Sequence, residues 1–208
     1  MLVQEIVNAI LQLAVVLVLV GIFWGLFGRR KQGFLKYTGL YAPTGRSLWI
    51  AFGLFFICTA LSAVFYILPV LREAAAADNT VAGAIRRNGW SAETVGVIFV
   101  VAGVKTALTE EIFFRGLIAK RLISWLGFSV GNLIHALIFG AVHLLVFLIP
   151  GGPKFTPLLG AAFLLLPGAS GWLMAFANEK AGNGSIAPGW MIHALGNAAA
   201  YPILAFLV

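Results

Sequence analysis

Two adjacent acidic residues, Glu110 and Glu111, lie inside a largely apolar stretch, residues 94–118, that is long enough to cross a lipid bilayer. Arg115 follows Glu111 after one helical turn. A charged side chain at the centre of a membrane-spanning helix costs about 2.5–3.5 kcal/mol on insertion scales, so such residues usually serve a function. A carboxylate that reaches a water molecule can act as a general base. This stretch is therefore the first place in the chain where proton-transfer chemistry is expected.

The spacing within the stretch separates the roles of the two glutamates. Glu111 and Arg115 are four residues apart and share a helix face, which predicts an intrahelical ion pair of mainly structural value. Glu110 is rotated by about 100° from Glu111 and can point towards other helices. Glu110 is therefore the candidate reactive carboxylate.

The composition identifies the environment in which these residues work. The chain is 61% hydrophobic and 10% charged, whereas soluble domains carry about 25% charged residues. An integral membrane protein, with the lipid bilayer as its first partner, is therefore predicted. The net charge of +7 comes from basic residues near the ends of the apolar segments, which indicates membrane orientation and anionic lipid rather than nucleic acid. The single cysteine, Cys58, excludes an intramolecular disulfide.

The apolar segments predict an all-α fold, a polytopic transmembrane helix bundle of about six spans in one membrane domain over residues 1–208. The loop after the first span carries five basic residues and no acid, which predicts a cytoplasmic loop with both termini outside. Residues 74–91 are interpreted as an extracellular loop rather than as an amphipathic surface helix. The predicted spans are residues 6–27, 47–70, 94–118, 132–149, 158–177 and 186–207.

Polar side chains on three predicted spans lie at a similar depth. Glu110 and His143 are roughly 10–17 Å from the cytoplasmic ends of their helices, at 1.5 Å per residue. His193 and Asn197, four residues apart on one face, lie at the same level. Unrelated structural residues would have no reason to agree in depth, so these four are predicted to share one site. Lys105, also within a span, is expected to be a structural counter-charge.

Three ordered motifs on separate predicted spans contain these residues. They read Glu110-Glu111-x-x-x-Arg115, Phe139-x-x-x-His143 and His193-x-x-x-Asn197. Their residue types and order resemble those of the CPBP intramembrane proteases, the CAAX-processing and bacteriocin-processing enzymes also called the Abi family. The resemblance covers residues 94–200, which we interpret as the catalytic core. His135 lies outside the motifs and is expected to be a hydrogen-bonded structural residue.

The resemblance implies an endopeptidase that hydrolyses a peptide bond of a membrane-bound peptide or protein substrate. Glu110 and His143 would activate the attacking water, and His193 and Asn197 would stabilise the oxyanion. Phe139 would pack beside His143 and exclude water. The short chain looks bacterial, so the expected location is the inner membrane, with the active site opening to the cytoplasmic side.

Two alternatives for a cofactor stay open. Members of this family are commonly described as metalloproteases, and Glu110, His143 and His193 could supply a His₂Glu shell for one divalent metal such as zinc. The HExxH spacing of helical zinc proteases is absent from the sequence. A metal-independent mechanism would use the same three residues.

Two other function classes compete with this interpretation. Ser170, within Gly168-Ala169-Ser170-Gly171, matches the pattern around a rhomboid-like serine nucleophile, with His193 as its base. That alternative leaves Glu110 and His143 unexplained, and small residues also permit close helix packing. A non-catalytic membrane protein, either a transporter or a bacteriocin-immunity scaffold, would also place polar groups at the midplane.

Overall fold

The computed structural model describes residues 1–77 and 80–207, and this part of the chain consists of helices and connecting turns with no strand. Large apolar side chains on the outer faces of the helices are exposed, as at Leu26 (72%), Trp49 (77%) and Leu148 (78%). Apolar surface of this extent suits contact with lipid tails. The predicted all-α membrane fold is therefore confirmed.

The first part of the chain contains two long helices. α1, Leu2–Phe23, continues as a π-turn over Trp24–Gly28 and ends before the basic loop. A short helix, α2, Phe34–Thr38, ends at Gly39, whose φ of 78° lies in the region that favours glycine. The second long helix, α3, spans Gly45–Ser62.

Three short helices then follow: α4, Val64–Ile67; α5, Pro69–Ala75; and α6, Val81–Asn88. The prediction of a loop rather than a helix within residues 74–91 is therefore wrong for Val81–Asn88. The Thr80 hydroxyl accepts a hydrogen bond from the Gly83 N–H at 3.1 Å and so caps α6. Ile85 of α6 is buried and packs with Ala205 near the C-terminus. An apolar contact of this kind stabilises a helix where the sequence pattern alone is weak.

A helical run of 57 residues, Ala92–Leu148, contains the third and fourth predicted spans. It is interrupted at Gly127, where φ is 76° and ψ is 167°. A Cβ added to Gly131 would lie 2.5 Å from the Leu122 carbonyl oxygen, although nine residues of straight helix would separate the two by about 13 Å. The chain therefore turns back sharply at Gly127. The parts of the run are α7, Ala92–Phe99; two π-helical segments, Val100–Leu108 and Glu111–Ala119; α8, Lys120–His143; and a 3₁₀ turn, Leu144–Leu148.

Two further long helices complete the described chain. α9, Pro157–Phe176, ends in a π-turn over Ala177–Ala181, and α10 spans Ala187–Phe206. α8 packs closely along α9. A Cβ on Gly140 would overlap the Leu164 carbonyl, so the glycine permits this close approach.

The turn before α10 is bound to the first loop. The Ile186 N–H donates to the Gly39 carbonyl at 3.0 Å, and the Ser185 hydroxyl donates to the Tyr41 carbonyl at 2.6 Å. Partial burial, together with the nearby Glu179 carboxylate, raises the pKa of the Tyr41 hydroxyl. The hydrogen bonds from Ile186 and Ser185 to the first loop fix the start of α10, the helix that contains the third motif.

Four helical runs in the described chain are long and apolar enough to span a membrane, so the predicted count of about six is not confirmed. The third run holds two of the predicted spans, joined at Gly127. α10 has the length of a span, but His193 and Asn197 lower its hydropathy. The four runs are Leu2–Gly28, Gly45–Ile67, Ala92–Leu148 and Pro157–Ala181.

Candidate active site

A buried ion pair lies at the centre of the site. Arg115 Nη1 is 3.0 Å from Glu111 Oε1, and the two side chains are 1% and 0% exposed. The Arg115 guanidinium also lies over the Phe139 ring, 3.9 Å from its centroid. The intrahelical pair predicted from the spacing is therefore present. Both residues lie on the π-helical segment Glu111–Ala119, and π-helical turns occur frequently at functional sites.

Glu111 has contacts beyond this pair. Its Oε1 lies 3.3 Å from His193 Nδ1, and its Oε2 accepts a hydrogen bond from Asn178 Nδ2 at 3.4 Å. The prediction of a mainly structural Glu111 is thus incomplete. One carboxylate connects the arginine of the first motif to the histidine of the third.

Asn178 is a residue of this network that the motifs did not reveal. It is 1% exposed, and its Oδ1 accepts a hydrogen bond from the Gly189 N–H at 2.7 Å. A Cβ on Gly189 would lie 2.6 Å from Glu111 Oε2, so glycine is required there for the carboxylate to approach. The predicted fifth span ended at residue 177, which placed Asn178 in a loop. Its position in the π-turn after α9 brings it to the site instead.

Glu110 approaches the same histidine from its other ring nitrogen. Glu110 Oε2 lies 3.9 Å from His193 Nε2, and the Glu110 side chain is 28% exposed. The His193 ring therefore lies between two carboxylates, with Nδ1 towards Glu111 and Nε2 towards Glu110. The expectation that Glu110 points towards a histidine is confirmed for His193.

His143 is oriented by its own helix. Its Nδ1 lies 2.8 Å from the Phe139 carbonyl oxygen. Because a carbonyl only accepts hydrogen bonds, this contact places a proton on Nδ1 and leaves Nε2 as an acceptor in the neutral ring. The Phe139 ring packs against both histidines, with its centroid 4.9 Å from that of His143 and 6.2 Å from that of His193. The predicted packing of Phe139 beside His143 is thus present.

A cavity of about 160 Å³ adjoins these side chains. His143, His193 and Asn197 line it, while Glu110 and Glu111 are not among its described lining residues and reach the site through His193. Within the described chain the buried Asn197 Nδ2 has no hydrogen-bond partner. A buried donor without a partner is costly, which suits a group that awaits an acceptor on a bound molecule.

The glycines around Ser170 have a packing explanation. A Cβ on Gly171 would lie 2.8 Å from Phe139 Cδ1, and a Cβ on Gly168 would lie 3.1 Å from the Ala136 carbonyl oxygen. Ser170 does line the cavity. However, within the described chain no hydrogen bond joins the Ser170 hydroxyl to His193, whose ring nitrogens contact the Glu110 and Glu111 carboxylates instead.

Two other predicted structural residues also have partners. Lys105 Nζ lies 2.7 Å from Glu5 Oε2 of α1, which confirms the expected counter-charge role. His135 is fully buried, and its Nδ1 lies 3.2 Å from Asn132 Oδ1. Neither residue lines the site cavity described above.

The three residues proposed as metal ligands do not form a ligand shell as they stand. Among the residues that the structure describes, no group of three His, Cys, Asp or Glu side chains is arranged to hold a metal ion. The ring nitrogens of His193 face Glu110 and Glu111, and Nδ1 of His143 faces a carbonyl. Glu110, His143 and His193 are therefore not grouped as a His₂Glu shell in this arrangement.

Comparison with known proteins places this geometry in a family context. The family model described as type II CAAX prenyl endopeptidase Rce1-like matches residues 92–199, about half of the chain. The match begins at α7 and ends just beyond Asn197, so it includes all three motifs. No curated protein and no solved structure matches the chain. The resemblance predicted from the motifs over residues 94–200 is confirmed.

Proposed function

Because the chain belongs to the Rce1-like type II CAAX prenyl endopeptidase family, we propose that it is an intramembrane endopeptidase. Its substrate is a membrane-associated peptide or protein, and its nucleophile is an activated water. The observation that carries the proposal is the position of His193, between Glu110 and Glu111 and beside the cavity that His143 and Asn197 also line.

Water activation falls to Glu110 and His143. The Nε2 lone pair of neutral His143 can accept a hydrogen bond from the attacking water in the cavity and so orient it. The 3.9 Å gap between Glu110 Oε2 and His193 Nε2 is too long for a direct hydrogen bond and can be bridged by one shared water. Glu110 then takes up the proton of that water and later delivers it to the leaving amine.

The developing oxyanion is stabilised by His193 and Asn197. Asn197 Nδ2 offers a buried donor with no partner in the described chain. His193 is held at Nδ1 by the Glu111 carboxylate, 3.3 Å away, and directs Nε2 to the oxyanion as the second donor. In a site shielded from water, donors fixed in this way are a large source of rate enhancement. Basic residues after α1 and at Lys120 and Arg121 support an opening towards the cytoplasmic side.

Cleavage of a labelled membrane-anchored peptide in proteoliposomes tests the proposal. The wild-type protein should cleave the peptide, and Glu110→Gln should lower the rate by about 10²-fold or more. Glu5→Gln is the matched control, because it makes the same change in a pair remote from the site. Equal cleavage by wild type and Glu110→Gln would contradict the assignment. Absence of cleavage across prenylated and unprenylated peptides would favour the non-catalytic alternative.

Metal analysis of the purified protein separates the two water-activation alternatives. Cleavage that survives removal of bound metal supports the mechanism that uses side chains alone. Cleavage that disappears on chelation and returns only with added Zn²⁺ contradicts it.

A further inference from the structure

A second and larger cavity lies beside α1 and the helical segment that carries the first motif. It has a volume of about 760 Å³, within the usual range of ligand sites of about 300–1,000 Å³, and shares no described lining residue with the site cavity. Its walls come from the C-terminal end of α1 and from the chain around the first motif. The proposed protease function does not use it.

The wall of this cavity is apolar, and its charge is of one sign. Phe23, Phe27 and Phe113 are among its lining residues, and the charged residues among them are Lys31 and Arg121. No acidic residue belongs to the described lining. The cavity therefore combines a hydrocarbon-like wall with a cationic region, the two properties that an anionic amphiphile requires.

Arg121 is positioned to bind an anion. Its guanidinium lies over the Tyr37 ring, 3.7 Å from the centroid, and its Nη2 donates to the Tyr37 carbonyl at 3.1 Å. Its Nη1 is buried and has no hydrogen-bond partner in the described chain. Neither Arg121 nor the exposed Lys31 forms an ion pair with any described residue. A planar guanidinium held on an aromatic ring with one donor unused suits a phosphate oxygen.

The position of the cavity along α1 indicates how an amphiphile would lie. Lys31 follows the end of the first apolar run, while Phe23 and Phe27 are the last phenylalanines within it. Trp125, which is 74% exposed, also lines the cavity, and tryptophan is typical of the headgroup level. Basic pockets between spanning helices on this side of the membrane bind anionic lipid headgroups.

We propose that this cavity binds one anionic phospholipid of the adjoining leaflet. Its phosphate contacts Arg121 and Lys31, and one acyl chain lies along Phe23 and Phe27 towards Phe113. The lipid is held in a defined place rather than exchanging with the annular lipids. The proposal is independent of peptide cleavage, so either one can fail alone.

Tryptophan fluorescence of the full chain in non-ionic detergent tests the proposal. The ligand is phosphatidylglycerol brominated on its acyl chains, with phosphatidylcholine of the same chains as the comparison. Occupancy of the cavity is reported by the quenching of Trp125. This quenching is the difference between the wild-type protein and the Trp125→Phe variant. Lys31→Gln should lower the apparent affinity for phosphatidylglycerol about fivefold, while the matched control Arg30→Gln, one residue outside the lining, should lower it less than about twofold. Lys31 is chosen for substitution because it is exposed, whereas Arg121 also donates a hydrogen bond to the Tyr37 carbonyl.

Stronger quenching by phosphatidylglycerol than by phosphatidylcholine, together with a larger loss in Lys31→Gln than in Arg30→Gln, supports the site. Equal quenching by the two lipids, or equal losses in the two variants, overturns it. Relief of the quenching by inorganic phosphate at the concentration of the lipid also overturns it, because the acyl chains would then add nothing to binding.

Discussion

Glu111–Arg115 and Glu5–Lys105 are both ion pairs within membrane-spanning helices, yet their surroundings differ. The first pair is almost inaccessible, and Glu111 also contacts His193 and Asn178. The second pair joins two helices with side chains that are 24% and 30% exposed, and in the described chain neither group has a catalytic partner. Intramembrane charge alone is therefore a weak sign of chemistry. The stronger sign is a charged group that also contacts a histidine.

The largest expected effect comes from breaking the buried pair. Glu111→Leu leaves the Arg115 guanidinium without its counter-charge, and removing one partner of a buried pair costs about 3–5 kcal/mol. We expect a large drop in the unfolding midpoint in detergent and loss of peptide cleavage. Glu5→Leu is the matched control and should leave the midpoint nearly unchanged. Equal shifts in the two variants would remove the distinction between the pairs.

The next effect separates catalysis from stability. Asn197→Ala removes the buried donor that faces the cavity, and loss of one oxyanion donor typically lowers kcat by about 10²–10³-fold. We expect this loss at a nearly unchanged unfolding midpoint, because Asn197 Nδ2 has no partner in the described chain to lose. Ser170→Ala, in the same cavity, should retain activity. Loss of cleavage in Ser170→Ala with retention in Asn197→Ala would restore the serine alternative.

Much of the site followed from residue spacing. The interval between Glu111 and Arg115 predicted their ion pair, and a shared depth predicted that Glu110 and His193 would meet. These inferences succeeded because they depend on helix rise and periodicity, which hold locally without knowledge of packing. The all-α fold followed from apolar composition for a similar reason.

The missed features depend on long-range packing or on departures from ideal helix geometry. Asn178 meets Glu111 across 67 residues of sequence, and no local pattern marks that contact. The angular argument kept Glu110 and Glu111 apart, but the two carboxylates approach different ring nitrogens of the same His193, at 3.9 and 3.3 Å. The sharp turn at Gly127 and the packing of α6 also depend on tertiary contacts.

A smaller effect tests whether Asn178 positions His193. Asn178→Ala removes partners from Glu111 Oε2 and from the Gly189 N–H, which costs about 1–3 kcal/mol. We also expect kcat to fall with a changed pH profile, because Glu111 would no longer hold His193 in one orientation. The control is Asn88→Ala, whose exposed side chain bonds locally, to the Ala84 carbonyl. A reduced midpoint with an unchanged pH profile would leave Asn178 a purely structural role.

The smallest effect concerns the second ion pair. Gln12 donates to the Lys105 carbonyl at 3.0 Å, whereas the Lys105 ammonium reaches Glu5, two helical turns nearer the N-terminus of α1. This geometry is that of a side chain extending towards the membrane surface. Because both groups are partly exposed, Lys105→Met should cost at most about 1 kcal/mol and leave cleavage unchanged. A double-mutant cycle with Glu5→Gln measures the coupling. A coupling as large as that of Glu111 with Arg115, or a loss of cleavage, would show that the Glu5–Lys105 pair also supports the site. Exposure would then be the remaining difference between the two pairs.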